Sequence, residues 1–160
     1  YERQGTCNIF GFFQPLQNWR HMKATHHRKS EDFALCMQYL VDVLFSEASE
    51  VQVVLDNLNT HTPAALYRTF EPNEALRILH RLRFHYTPKH GSWLNMVEFE
   101  FSVLSRQCLN RRIPEFEQLR QEVGCWEETR NQTKATVNWW FSVEDARTKL
   151  SRLYPQPSLS

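Results

Sequence analysis

The chain has 160 residues, of which 41% are apolar, 13% aromatic and 23% charged, a balance that supports one globular domain and excludes a disordered or fibrous chain. Nineteen Lys and Arg against 18 Asp and Glu leave a formal charge of +1, so bulk electrostatics selects no partner. The longest apolar stretches are short and interrupted, as residues 39–45 are by Asp42, which excludes a transmembrane helix. None of the four glycines sits in a phosphate-cradling turn between strand and helix, which excludes a P-loop or dinucleotide fingerprint.

In chain order, residues 5–16 are rich in aromatic and β-forming residues and stop at Pro15. Residues 19–27 alternate in polarity. A short turn at Gln17 and Asn18 between them predicts an antiparallel hairpin. Ser30 is the expected N-cap of a helix over 31–47, with Glu31 and Asp32 in its first turn and Phe33, Met37, Leu40, Val41 and Leu44 at helical spacing. The β-branched run VQVVL at 51–55 predicts a central strand covered on both faces. Residues 63–82 hold one or two helices broken near Pro72, and 83–87 form a further strand. Helices are expected over 95–109, from Pro114 to about Arg130, and near 143–153. The alternation of strands and helices predicts an α/β layered domain over residues 1–160.

The four cysteines, at 7, 36, 108 and 125, never form Cys-x-x-Cys and are expected as buried free thiols rather than disulfides or zinc ligands. His26, His27 and Cys36 are read as a surface turn and not as a metal site. Trp139 and Trp140 are read as packing residues.

In an open α/β sheet, reactive groups gather at the carboxyl ends of strands. Asp56 stands at such an end, directly after the run at 51–55, although an Asp-Asn pair is also a common turn. Glu98 and Glu100 lie near the start of the helix after the last strand. Two apart, they do not share a helix face, so at most one points toward Asp56, and the plain reading of each is a solvated helix carboxylate. Two carboxylates brought together from a strand end and a helix are ligands for Mg²⁺. His61, Thr87, Lys89, His90, Ser92, Trp93 and Asn95 occupy the neighbouring loops, with Lys89 the foremost phosphate contact. Arg106, Arg111 and Arg112 follow Glu98 and either track a DNA backbone or form a solvated helix end.

The segments VVLDNLNTHTPAALY (53–67) and FHYTPKHGSWLNMVEFEFSVLSRQCLNRR (84–112), with RQGTCNIF near the start and VEDARTKLSRLYP near the end, resemble the catalytic domain of mariner-like DDE transposases, in particular the bacterial insertion-sequence branch. The resemblance implies a ribonuclease-H-like fold, a mixed five-stranded sheet with helices on both faces. It also implies metal-dependent cutting and joining of transposon DNA ends with two Mg²⁺ or Mn²⁺ ions, action on transposon ends and target DNA, a homodimer, and a cytoplasmic, nucleoid-associated bacterial protein. By resemblance Asp56 is the second carboxylate and Glu98 the third, since Leu94-Asn95-Met96-Val97-Glu98 is similar to the family's Leu-Asn-Pro-x-Glu. The first carboxylate and its strand are expected upstream of Tyr1, because Glu2, Asp32 and Asp42 do not stand at a central strand end. This chain alone is therefore expected to be inactive or nearly so. The rival expectation is a non-catalytic DNA-binding or oligomerisation remnant.

Overall fold

The computed structural model describes residues 6–89, 91–138, 140 and 142–151. Glu2, His90, Trp139 and the far end of the closing motif lie outside the described residues. Strands β1 (Asn8–Gln14) and β2 (Trp19–Thr25) pair antiparallel, with Asn8 opposite Thr25 and Gln14 opposite Trp19. Between them Pro15–Gln17 makes a single 3-10 turn, closed by Asn18 at φ 51°, the left-handed region that Asn tolerates better than most residues.

Helix α1 spans Ser30–Tyr39. Its cap is Lys29 and not Ser30: the Asp32 carboxylate turns back to accept the Lys29 amide at 2.8 Å. Nor does the α-helix run to residue 47. It widens at Leu40–Leu44 into a π-turn, in which the Phe45 amide reaches the Leu40 carbonyl at 2.9 Å. The Arg81 guanidinium terminates this segment. It donates to the carbonyls of Val41 (2.8 Å), Phe45 (2.7 Å), Ser46 (3.0 Å) and Ala48, groups that a helix end otherwise leaves unpaired.

Strand β3 (Val51–Leu55) pairs parallel with β4 (Leu82–Tyr86), in register from Val51–Leu82 to Leu55–Tyr86. The parallel pairing needs a crossover, supplied by α2 (Pro63–Thr69) and α3 (Pro72–His80), each with proline in its first turn where no amide partner is lost. The expectation that β3 is covered on both faces fails among the described residues. Val51, Val53 and Leu55 face the core, whereas Val54 is 56% exposed and Gln52, Arg83 and His85 share its open face. Helices α4 (Val97–Gln107), α5 (Phe116–Gln132) and α6 (Val143–Leu150) follow.

Two cores hold these elements. Leu55 and Leu82 from the parallel pair bury against Phe33, Met37, Leu40 and Val41 of α1 and its π-turn and against Leu66 and Ile78 of α2 and α3, with Phe10 and Phe12 of β1 packed at the side. Met22 of β2 buries with Leu104, Cys108, Leu119 and Val123. The hairpin is thus a layer between α1 on one face and α4 and α5 on the other. Gly11 permits the closest approach in this layer. A Cβ there would stand 2.7 Å from Cζ of Phe101 and 3.0 Å from Cγ2 of Val97, so α4 lies directly on β1. All four cysteines are free; Cys36 and Cys108 are buried as expected, but Cys7 and Cys125 are exposed. Trp140, expected in the core, is 87% exposed in the segment between α5 and α6.

The result is an α/β architecture of small sheets with flanking helices, one sheet antiparallel and one parallel. It agrees with a ribonuclease-H-like domain. Where that fold has one five-stranded sheet, the described residues form two separate pairs.

Candidate active site

The carboxyl ends of β3 and β4 lie side by side because the two strands run parallel, and the chain leaving them is tied together by polar bonds. The Thr87 amide extends the ladder to the Leu55 carbonyl at 2.9 Å, Asn57 donates its side-chain amide to the Thr87 carbonyl at 2.6 Å, and the Tyr86 hydroxyl donates to the His61 carbonyl at 2.9 Å. Asp56 stands in this frame, half-buried, with Oδ1 2.9 Å from Nδ1 of His61. The strand end is where α/β domains place reactive groups, as the sequence led us to expect.

Glu98 approaches from the other side. It occupies the first turn of α4, its amide bonded to the Asn95 carbonyl at 3.1 Å, while Asn95 Oδ1 accepts the Val97 amide at 3.4 Å. A carboxylate in that turn faces the positive end of the helix. Although the residue is exposed, its pKa is raised, first by partial desolvation against the protein and then by the negative charge of Asp56. The carboxyl group makes no hydrogen bond or ion pair among the described residues. The charge of Asp56 thus reaches Glu98 across elements far apart in sequence. Paired acids with uncommitted oxygens are a donor set that fits a hard divalent cation, which would relieve their repulsion. Among the described residues they are not joined by further acids, histidines or cysteines into a cluster of three or more that could hold a metal ion.

Glu100 is not the solvated carboxylate expected of it. It is fully buried and gripped by two guanidinium groups: Arg20 donates to it at 3.1 and 3.3 Å, and Arg130 at 3.1 and 2.9 Å. Arg20, itself fully buried, also donates to the Arg130 and Ala135 carbonyls and to Asn131. Burial lowers the Arg20 pKa, while Glu100 opposes that shift. This network binds β2, α4 and α5 and leaves Glu98 as the acid of α4 that faces Asp56.

The candidate DNA contacts divide. Lys89 is exposed in the loop after β4, and Arg106 is exposed in the last turn of α4. Arg111 is exposed but ion-paired with Glu122 of α5. Arg112 is exposed beyond α4, and Asn95 serves the start of that helix. Thr87 is buried, its hydroxyl without a partner among the described residues, and Trp93 lies beneath the Lys149 ammonium at 4.9 Å. His26 stacks on Phe116 with ring centroids 3.9 Å apart. Sequence reasoning placed His61 beside Asp56 but not in contact with it; the five-residue spacing after a strand end was the available signal. For the Arg20–Glu100–Arg130 network there was none, since its members are scattered along the chain.

The fold is α/β, with Asp56 directly after β3 of the parallel pair and Glu98 in the first turn of α4. The chain matches the family model described as DDE superfamily endonuclease over residues 1–120, a span that includes Asp56 and Glu98, and it belongs to that family. Membership gives it a transposase-like nuclease class, with DNA as the implied substrate and divalent metal ions as the superfamily's usual cofactors. No curated protein and no solved structure matches the chain significantly. No helix among the described residues is long and apolar enough to cross a membrane.

Proposed function

We propose that this chain is the catalytic part of a mariner-like transposase of the bacterial insertion-sequence branch, which cuts transposon DNA ends and joins them to target DNA. The observation that carries the reading is the family match over residues 1–120, a span that holds Asp56 directly after β3 and Glu98 in the first turn of α4. In this reading Asp56 is the second and Glu98 the third carboxylate of a site for Mg²⁺ or Mn²⁺, completed by one further acid. Two such ions, when bound, supply the charge that activates a water or 3′-hydroxyl and steadies the leaving oxygen.

The residues of the chain provide position. Asp56 is fixed by the end of β3, and Glu98 by the first turn of α4 lying on β1. Rigid placement of both acids serves in-line attack on a phosphodiester, where catalysis is chiefly orientation and charge stabilisation. Lys89, exposed at the same edge, contacts a DNA phosphate, and Arg106 follows the backbone along α4. Two copies of the protein bring two DNA ends together on the bacterial nucleoid.

Retention of DNA by the purified chain, with Mg²⁺ or EDTA, tests the reading against its rival. We expect Mg²⁺ to strengthen retention and Asp56→Ala to abolish that gain. Retention indifferent to both EDTA and Asp56→Ala overturns the reading in favour of a non-catalytic DNA-binding or oligomerisation module. Plasmid nicking by this chain alone is expected near background, since no group of three or more acids, histidines or cysteines that could hold a metal ion forms among the described residues.

A further inference from the structure

We infer that His61 is a positioning residue for the Asp56 carboxylate: its Nδ1–H holds Oδ1 and leaves Oδ2 for the cation. The inference rests on the reading of Asp56 as a metal ligand and deepens it. His61 is restrained from every side. Its ring stacks on Phe33 with centroids 4.8 Å apart and planes 22° from parallel, and meets Phe10 at 6.1 Å. Its amide donates to the Leu58 carbonyl and its carbonyl accepts the Tyr86 hydroxyl, both at 2.9 Å. Nδ1 then lies 2.9 Å from Asp56 Oδ1, and only 15% of the side chain is exposed.

An ionised carboxylate only accepts hydrogen bonds, so Nδ1 carries the proton in this contact. Nε2 is buried and has no partner among the described residues. Oδ2 of Asp56 has no hydrogen-bond partner among the described residues. One oxygen is thus pinned and the other is presented. A ligand carboxylate held in this way has less rotational freedom to lose when it takes a cation, and outer hydrogen-bond partners of metal ligands typically change metal affinity by about 10- to 100-fold.

The test is titration of the full chain with Mn²⁺ alone, followed by electron paramagnetic resonance of the free ion, with thermal melts to verify folding. His61→Phe keeps the ring on Phe33 and deletes the donor. His61→Asn loses the ring but places an amide donor close to the position of Nδ1, and His61→Gln carries its donor further out. We expect Mn²⁺ affinity to fall about tenfold or more in His61→Phe and to return near the parent value in His61→Asn, but not in His61→Gln. A merely structural role predicts the opposite order, with Phe at least as good as Asn, and that order overturns the inference. If His61→Phe does not fold, the Asn and Gln variants decide: Gln binding as tightly as Asn overturns it. Asp56→Asn separates the two claims. Mn²⁺ binding unchanged by Asp56→Asn removes Asp56 as a ligand and both claims fall; binding lost there but retained in His61→Phe overturns only the role of His61.

Discussion

The charge of Asp56 beside Glu98 opposes folding slightly. Glu98 has its pKa raised by burial and by Asp56, so its charged form is disfavoured in the folded protein. Glu98→Gln removes that penalty, and we expect it to raise stability by a few tenths of a kcal/mol, water screening the rest. Urea denaturation with and without Mn²⁺ checks this: the variant is more stable in the absence of the ion and gains less from adding it. A variant less stable than the parent without the ion contradicts the like-charge account. Asp56 was legible because a short β-branched run followed abruptly by Asp-Asn marks a strand end. The choice between Glu98 and Glu100 was half legible. Their spacing forbids a shared face, but composition does not say that the second acid turns inward to meet guanidinium groups from β2 and α5.

At the scale of elements, α4 is held to the hairpin by two contacts of different kinds. Gly11 lets Val97 and Phe101 approach the β1 backbone, and the Glu100 carboxylate clamps the helix to Arg20 and Arg130. Glu100→Ala leaves Arg20 fully buried without its main counter-charge, so we expect a loss of about 3–5 kcal/mol in denaturant unfolding. A loss below about 1 kcal/mol would show that water enters and solvates the guanidinium groups. The helices and strands themselves were largely readable, because polarity alternates along β2, prolines open α2 and α3, and apolar spacing marks α4. The end of α1 was not. Apolar periodicity continues through Leu44, yet Arg81, from the far side of the crossover, captures the carbonyls of Val41 and Phe45 and fixes a π-turn there. Two-sided burial of β3 was misread for a related reason: an apolar run does not reveal whether a neighbouring layer covers its second face.

Over the whole molecule, the parallel pair and its crossover helices are joined to α1 by an exposed ion cluster. Arg77 of α3 donates to Glu74 at 2.8 and 2.7 Å and to both oxygens of Asp42 in the π-turn at 2.8 Å, and Gln38 of α1 donates to Glu74 at 3.1 Å. The bonds from Arg77 and then Gln38 lower the Glu74 pKa to about 2 from its ordinary 4.5. A carboxyl group with a depressed folded pKa contributes stability in full above its unfolded value and loses it as pH falls through the folded one. The contribution of Glu74 is thus present above pH 4.5 and disappears toward about pH 2. Urea midpoints of the parent and Glu74→Gln, compared down this range, should differ most at neutral pH and converge at the acid end. Being exposed, the cluster should also weaken in high salt. Because it ties α3 to α1 over the buried face of β3 and β4, its loss should loosen the frame behind Asp56 before the hairpin core around Met22 and Leu104 is affected. Amide hydrogen exchange at mildly acid pH checks this, with protection falling first at β3 and β4 and later at β1 and β2. Simultaneous loss in both sheets would mean that the two cores unfold as one unit.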